Sequence, residues 1–231
     1  MRRREETYSR SGVGSLDRPR VLTRSSYLRA LRALSKSDPR LARILDELGT
    51  PPTWFRLPGF PTLVYVVLEQ QVSLASAKAA YDRLNQTVSP LTPESFLSLG
   101  SPTLKKVGFS RQKTDYCRRL AIAAMSGKLD LDRLARMSDD EAKEILMGQK
   151  GIGRWTADIY LVHALRRPDA WPATDLALAT AAFEELGLKS RPTADDLEEI
   201  GEKWRPWRSV AARLLWHAYL SKRNGSGPRA M

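Results

Sequence analysis

Apolar residues along this chain recur mostly three or four positions apart, the spacing of one helix face, and the breaks between such stretches carry helix caps. Tyr27, Leu28, Leu31 and Leu34 make one stripe from Ser25 onward. Ser37-Asp38-Pro39 then supplies a cap and a first-turn proline for a helix through Leu48, ended by Gly49 and the Pro51-Pro52 pair. Trp54 to Gly59 reads as a loop with a hydrophobic foothold. Phe60 to Val72, FPTLVYVVLEQQV, is β-branched enough for a strand, but nothing nearby pairs with it, so length and helical neighbours predict a buried helix. Ser73 caps the next helix, through about Asn85. Thr92-Pro93-Glu94 and Ser101-Pro102 each read as a cap followed by proline, opening short helices that stop at Gly100 and Gly108, and Ser110 caps a longer one through Ser126. Ser138-Asp139-Asp140-Glu141 has capping-box spacing and predicts a helix to Met147. Further helices are predicted from about Leu176 to Leu186 with Gly187 as stop, from Thr193 to about Trp204, and from Pro206 to Lys222. With no repeat and no β-hairpin signal, the fold class is all-α, built from about ten or more short helices.

The organisation predicted is a basic arm over residues 1–24, one helical domain over 25–222 and a loose tail over 223–231. At 231 residues the chain can bury a sizeable core, as one large domain or two lobes sharing a groove. A formal net charge of +12 and a pI near 10.1 make a polyanion the natural partner. Cys117 is the only cysteine, which excludes an intrachain disulfide and a cysteine-ligated iron–sulfur cluster. His163 and His217, the only histidines, are too few for a conventional zinc centre. No P-loop, dinucleotide fingerprint or nucleophile elbow is present, so phosphoryl transfer, hydride transfer and serine hydrolysis lack apparatus. The start, MRRREETYSR, lacks the apolar stretch of a signal peptide, and no run reaches the roughly 18 apolar residues of a membrane span, so the expected place is the cytoplasm or the nucleoid.

Carboxylate chemistry remains, and it centres on Leu146 to Asp175, LMGQKGIGRWTADIYLVHALRRPDAWPATD. Met147, Gly148, Gln149, Lys150, Gly151, Ile152 and Gly153 form a Gly-rich hairpin ahead of an apolar helix on which Ile152, Ala157, Tyr160, Leu161 and Ala164 keep helical spacing. Glycines let backbone approach a ligand, and free N–H groups at a helix N-terminus suit a phosphate oxygen; the structural alternative is an ordinary tight turn between two helices. Asp175 ends an apolar approach, Trp171-Pro172-Ala173-Thr174, and by itself a lone Asp there is most simply a helix N-cap. Gln70 and Gln71 at the tip of a buried helix either satisfy the turn's backbone or enter a duplex to fill the space of a displaced base.

Gly151-Ile-Gly-Arg-Trp-Thr-Ala157, Pro172-Ala-Thr-Asp175 and Trp204-Arg-Pro-Trp-Arg-Ser209 with Trp216, together with Glu69-Gln-Gln-Val-Ser73, fall in the order seen in one family. Over roughly Phe60 to Leu220 the chain resembles the helix-hairpin-helix (HhH-GPD) DNA glycosylases, within them the AlkA-like 3-methyladenine DNA glycosylase II branch, in a compact form without the N-terminal β domain. The resemblance implies two helical lobes around a base-binding cleft, with the motif at about 139–165. It implies Asp175 as the carboxylate at the sugar, a base pocket at Trp155, Trp216, Ile159 and Leu176, and DNA contacts at Gly148 to Gly153, Thr156, Gln70, Gln71 and Ser73. It also implies a monovalent cation, Na+ or K+, on the backbone carbonyls of Met147, Gln149 and Ile152, and no other cofactor.

Members that also cut the DNA backbone place a Schiff-base lysine where this chain has Trp155, which cannot form an imine. The implied activity is therefore monofunctional hydrolysis of the N-glycosidic bond of flipped-out alkylated purines such as 3-methyladenine and 7-methylguanine, by a monomer acting on damaged double-stranded DNA and leaving an abasic site. Two electron-rich indoles suit a cationic alkylated base. Arg208 and Ser209 are expected as a structural shell near Asp175. Ile159 and Leu176 stand where the bacterial type enzyme has tyrosines, Gln71 where it has a leucine wedge, and Lys150 replaces a hairpin proline. The alternatives are a glycosylase for deaminated or oxidised bases, which needs a hydrogen-bonding pocket, and a non-catalytic DNA clamp built on the hairpin.

Overall fold

Side-chain caps cut the chain into helices of four to sixteen residues. In a computed structural model that describes residues 21–223, Thr23 opens α1 (Arg24–Ser37), Asp38 α2 (Pro39–Leu48), Ser73 α4 (Leu74–Thr87), Thr92 α5 (Pro93–Leu97), Ser110 α7 (Arg111–Met125) and Asp130 α8 (Leu131–Leu134), each accepting a first-turn N–H. Ser138 and Glu141 close a capping box at α9 (Asp139–Met147), Asp175 caps α11 (Leu176–Leu186) and Thr193 caps α12 (Ala194–Glu202). Each such cap contributes about 1 kcal/mol. α3 (Phe60–Glu69), α6 (Ser101–Val107) and α10 (Arg154–His163) start at glycines that offer no side-chain cap, and α13 (Arg208–Arg223) completes thirteen helices, with no strand among the described residues.

Several boundaries differ from expectation. α3 stops at Glu69 because Gln71 adopts φ +55, incompatible with a continuing helix. Ser101 lies inside α6, whose N-cap is Gly100. α8 is a single turn, too short to carry a readable stripe. α12 ends at Glu202 and the last helix opens at Arg208, leaving turns where helix was expected. The basic arm does not extend to Arg24: Leu22 is buried and its N–H donates to the Arg166 carbonyl at 2.8 Å, so one apolar residue docks the chain before the first cap. The rest of the arm, and the tail beyond Arg223, lie outside the described residues.

The helices pack in two groups. α1, α2, α11 and α13 form one; α3, with α4 and α7 against it and α5 and α6 beyond, forms the other, and α10 with α9 joins α3. α3 is buried over eight of its ten residues and α10 from Thr156 to His163, so both read as apolar nearly all round. Arg213 of α13 is fully buried and donates to the carbonyls of Thr53, Ser209 and Val162, which ties α13 and α10 to the loop before α3. Burial alone would raise the Asp38 carboxyl, but hydrogen bonds from Arg40 and Trp204 outweigh it and hold it well below the carboxylate range, which pins α2 to the turn after α12. No helix of the described residues is long and apolar enough to cross a membrane.

Candidate active site

Asp175 sits where the two groups meet, and it is the helix cap that its sequence position suggests. Its Oδ1 accepts the Leu178 N–H at 2.7 Å and so caps α11. The same oxygen accepts the indole N–H of Trp216, from α13, at 3.0 Å, and Oδ2 accepts that of Trp155, from α10, at 2.6 Å. A carboxylate has about four lone-pair sites; three donors occupy two on Oδ1 and one on Oδ2, and the remaining position is on Oδ2. Asp175 is 9% exposed, so the carboxylate is held rigidly at the edge of the interior with one acceptor site left.

The two tryptophans therefore meet Asp175 through their edges. Trp216 is buried and one face of its ring is stacked on His163, with centroids 5.6 Å apart and planes 22° apart. Trp155 is half-buried, one turn before Ile159, which is buried; Leu176 is exposed at the first position of α11. Arg208 and Ser209 make no hydrogen bond to Asp175: Arg208 pairs with Asp169, Glu198 and Glu202, and the Ser209 N–H donates to the Pro168 carbonyl. The resemblance implies them as a structural shell, and their bonds to Pro168 and Asp169 tie them to the segment upstream of Asp175.

The hairpin joins α9 to α10 through a turn closed by the Ile152 N–H on the Gln149 carbonyl at 3.0 Å. Gly151 has φ +90, and a β-carbon there would fall 2.2 Å from the Tyr116 ring, so both conformation and close packing demand glycine. Gly148 has ordinary helical φ, and Gly153 has open space around its β-carbon position. With no side chain capping α10, the first-turn N–H groups that follow Gly153 are free to face an anion. The hairpin, with Gln70, Gln71, Gln112, Lys113 and Tyr116, walls a groove of about 490 Å³. Lys150 points to Asp115, 3.5 Å away.

Gln70 turns inward: its amide donates to the Gly151 carbonyl and to Thr156 Oγ1, each at 2.9 Å, so it satisfies the backbone of the hairpin and not of its own turn. Gln71 is exposed with φ +55, flanked by exposed Val72 and Leu74, while Ser73 Oγ caps α4. Of the carbonyls proposed for a cation, that of Gln149 accepts one hydrogen bond, and those of Met147 and Ile152 accept none among the described residues. Three oxygen acceptors with spare lone pairs fit a hard monovalent ion. Sequence reading missed Tyr116, Gln112 and Lys113, whose helical spacing marks an ordinary amphipathic face, and His163, which reads as one more core residue.

The chain is 28% identical over 209 residues to the alkylbase DNA glycosidase-like protein mag2 of Schizosaccharomyces pombe, covering 87% of this chain and 98% of that one. It is 29% identical over 191 residues to DNA-3-methyladenine glycosylase 1 of the same yeast, covering 80% and 83%. Among solved structures, the S. pombe 3-methyladenine DNA glycosylase Mag1 in complex with abasic DNA superposes with a TM-score of 0.78 at 29% identity, covering 84% of this chain and 97% of that one. Residues 64–206, which hold the hairpin, Trp155 and Asp175, match the family described as HhH-GPD superfamily base excision DNA repair protein, and the chain belongs to that superfamily.

Proposed function

We propose that this protein is a monofunctional DNA glycosylase that hydrolyses the N-glycosidic bond of alkylated purines, of the 3-methyladenine and 7-methylguanine type, in double-stranded DNA. The observation that carries this reading is Asp175, a carboxylate fixed by three N–H donors with one acceptor site left at the junction of α10, α11 and α13. When the C1′–N bond breaks, its electron pair leaves with the base and positive charge develops on the deoxyribose. An anion already oriented there stabilises that charge more in the transition state than in the ground state and needs no reorganisation. Water then bonds to C1′ and gives up a proton, for which the free site on Asp175 Oδ2 is the acceptor. A cationic alkylpurine leaves as a neutral base, so no general acid is required at the leaving group.

Trp155 carries surface free for contact with a base, and its ring suits a cation. It also occupies the position at which a lyase needs an amine, which supports hydrolysis without strand cleavage. The hairpin N–H groups and the basic character of the chain favour the phosphate backbone, and the exposure of Gln71 supports it as the residue that occupies the gap left by a flipped nucleotide. The carbonyls of Met147, Gln149 and Ile152 would hold a monovalent cation, which would add positive charge beside a phosphate. Release of free bases from methylated duplex DNA, identified by mass, tests the reading. The wild type should release 3-methyladenine or 7-methylguanine and Asp175→Asn should release neither while still binding DNA. Equal release by both would overturn the role of Asp175, and no release by the wild type would direct attention to deaminated or oxidised bases.

A further inference from the structure

Behind Trp216, on the side away from Asp175, stands His163. His163 is the last residue of α10 and is buried. Its Nδ1 lies 3.0 Å from the Trp54 carbonyl oxygen. A carbonyl only accepts, so Nδ1 must carry the proton, which fixes the tautomer and the plane of the ring. The main chain is held at the same point, because the His163 carbonyl accepts the Arg56 N–H at 2.9 Å. The loop that presents Trp54 is itself clamped: Arg213 donates to the Thr53 carbonyl, and Arg56 makes a two-point pair with Glu69. The face of this immobilised imidazole is stacked on Trp216, whose edge donates to Asp175.

We propose that His163 is a positioning residue for base excision, holding the Trp216 ring in the plane that keeps its indole N–H on Asp175 Oδ1. The relay runs from the clamped 53–56 loop through His163 to Trp216 and the carboxylate, and each link is a contact of fixed geometry. Without the imidazole, Trp216 gains room to rotate about its side-chain bonds, and a rotation that breaks a linear N–H···O contact leaves Oδ1 with the Leu178 N–H alone. An uncharged ring is what this role needs, since a cation beside Arg213 and Arg56 would repel them. Burial pushes His163 well below the usual imidazole range, and the two arginines push it the same way. Trp216 is thereby an arm with a set angle, and His163 is what sets it.

The inference rests on the assignment of Asp175 as the carboxylate at the sugar, and the test separates the two. Three variants of the full chain are compared: His163→Ala removes both ring and anchor, His163→Phe keeps a stacking face, and His163→Gln keeps an amide donor for the Trp54 carbonyl without an aromatic face. Two properties are read. The first is the indole ¹H–¹⁵N resonance of Trp216, assigned with Trp216→Phe, and its hydrogen-exchange protection. The second is the single-turnover excision rate and Kd on a duplex carrying one 7-methylguanine. An aromatic pair is worth about 0.5–1.5 kcal/mol, so His163→Ala should lower both protection and rate about two- to thirteenfold with Kd unchanged. His163→Phe, which keeps the stacking face without the anchor to Trp54, should restore both in part, and His163→Gln should restore neither. A Trp216 indole resonance and rate unmoved in His163→Ala, or rescue by Gln in place of Phe, would overturn the proposal and make His163 a staple for the loop alone. Where His163→Ala fails to fold by circular dichroism, the contrast between Phe and Gln decides. Wild-type excision by Asp175→Asn would sink the catalytic assignment, while the indole readout would still answer whether His163 holds Trp216.

Discussion

Trp155→Phe isolates what the indole edge does from what the ring face does. The substitution keeps an aromatic face for a base and removes the single donor to Asp175 Oδ2, at 2.6 Å. A hydrogen bond to a charged acceptor contributes about 1.5–3 kcal/mol. At about 1.36 kcal/mol per factor of ten, losing it costs between about 10- and 150-fold in the chemical step. Trp155 is half-buried, so water can replace part of the lost bond and the lower end applies, about ten- to thirtyfold. Trp216→Phe should cost several-fold less, because Oδ1 retains the Leu178 N–H at 2.7 Å. Single-turnover excision on a duplex with one 7-methylguanine, at enzyme concentrations spanning Kd, gives rate and affinity separately. Loss of rate at constant Kd is expected for Trp155→Phe. A wild-type rate in Trp155→Phe, with loss of affinity only when the ring is removed in Trp155→Ala, would refute the donor role and leave stacking as the whole contribution of Trp155.

Other consequences are as direct. Gly151→Ala combines φ +90 with overlap on the Tyr116 ring and should cost more than about 1 kcal/mol, or about 2–4 °C in Tm, and weaken DNA binding. Gly148→Ala and Gly153→Ala should leave Tm unchanged, and a drop as large as that of Gly151→Ala would contradict the packing argument. Gln70→Ala leaves the Gly151 carbonyl and Thr156 Oγ1 without their donor, and should destabilise by about 1–3 kcal/mol and raise hydrogen exchange in the hairpin selectively; unchanged exchange would show that Gln70 does not hold it. Burial pushes Asp158 up to about 6 against the pull of Lys143 and Arg154. The folded chain thus holds this proton more tightly than the unfolded chain, whose carboxyl sits near 3.8, so stability should fall as pH rises from about 4 through 6. Melting curves of wild type and Asp158→Asn should diverge over that window, and parallel curves would refute the sign.

Much of the local structure was legible because it is set by residues within one turn of each other. Ser73, Thr92, Ser110, Ser138, Asp175 and Thr193 each cap the helix that follows, and each cap joins positions three apart. The hairpin was visible for the same reason, and the order of the motifs around it singled out Asp175. The errors lie where a long-range contact competes with local pattern. Leu22 was assigned to an arm because one apolar residue among polar ones carries no period, yet it docks on Arg166. At Gly151 the tertiary structure adds a demand that local pattern does not show, the Tyr116 ring thirty-five positions earlier.

By itself, then, the sequence determined the helical class, most of the caps and the hairpin, since periodicity and capping are short-range properties of the chain, while the proposed role of Asp175 rests on the order of motifs around it. Only the tertiary structure decided how the carboxylate is held. Trp155 and Trp216 approach Asp175 from 20 and 41 positions away, and Gln70 reaches Gly151 across 81. Nothing in an indole's spacing tells whether its face or its edge will meet a partner, because that depends on the angle at which α10 and α13 pack against the start of α11. His163 shows the same limit: in sequence it is one more residue on a buried helix, and only the stacking of its ring between a clamped loop and Trp216 gives it a direction.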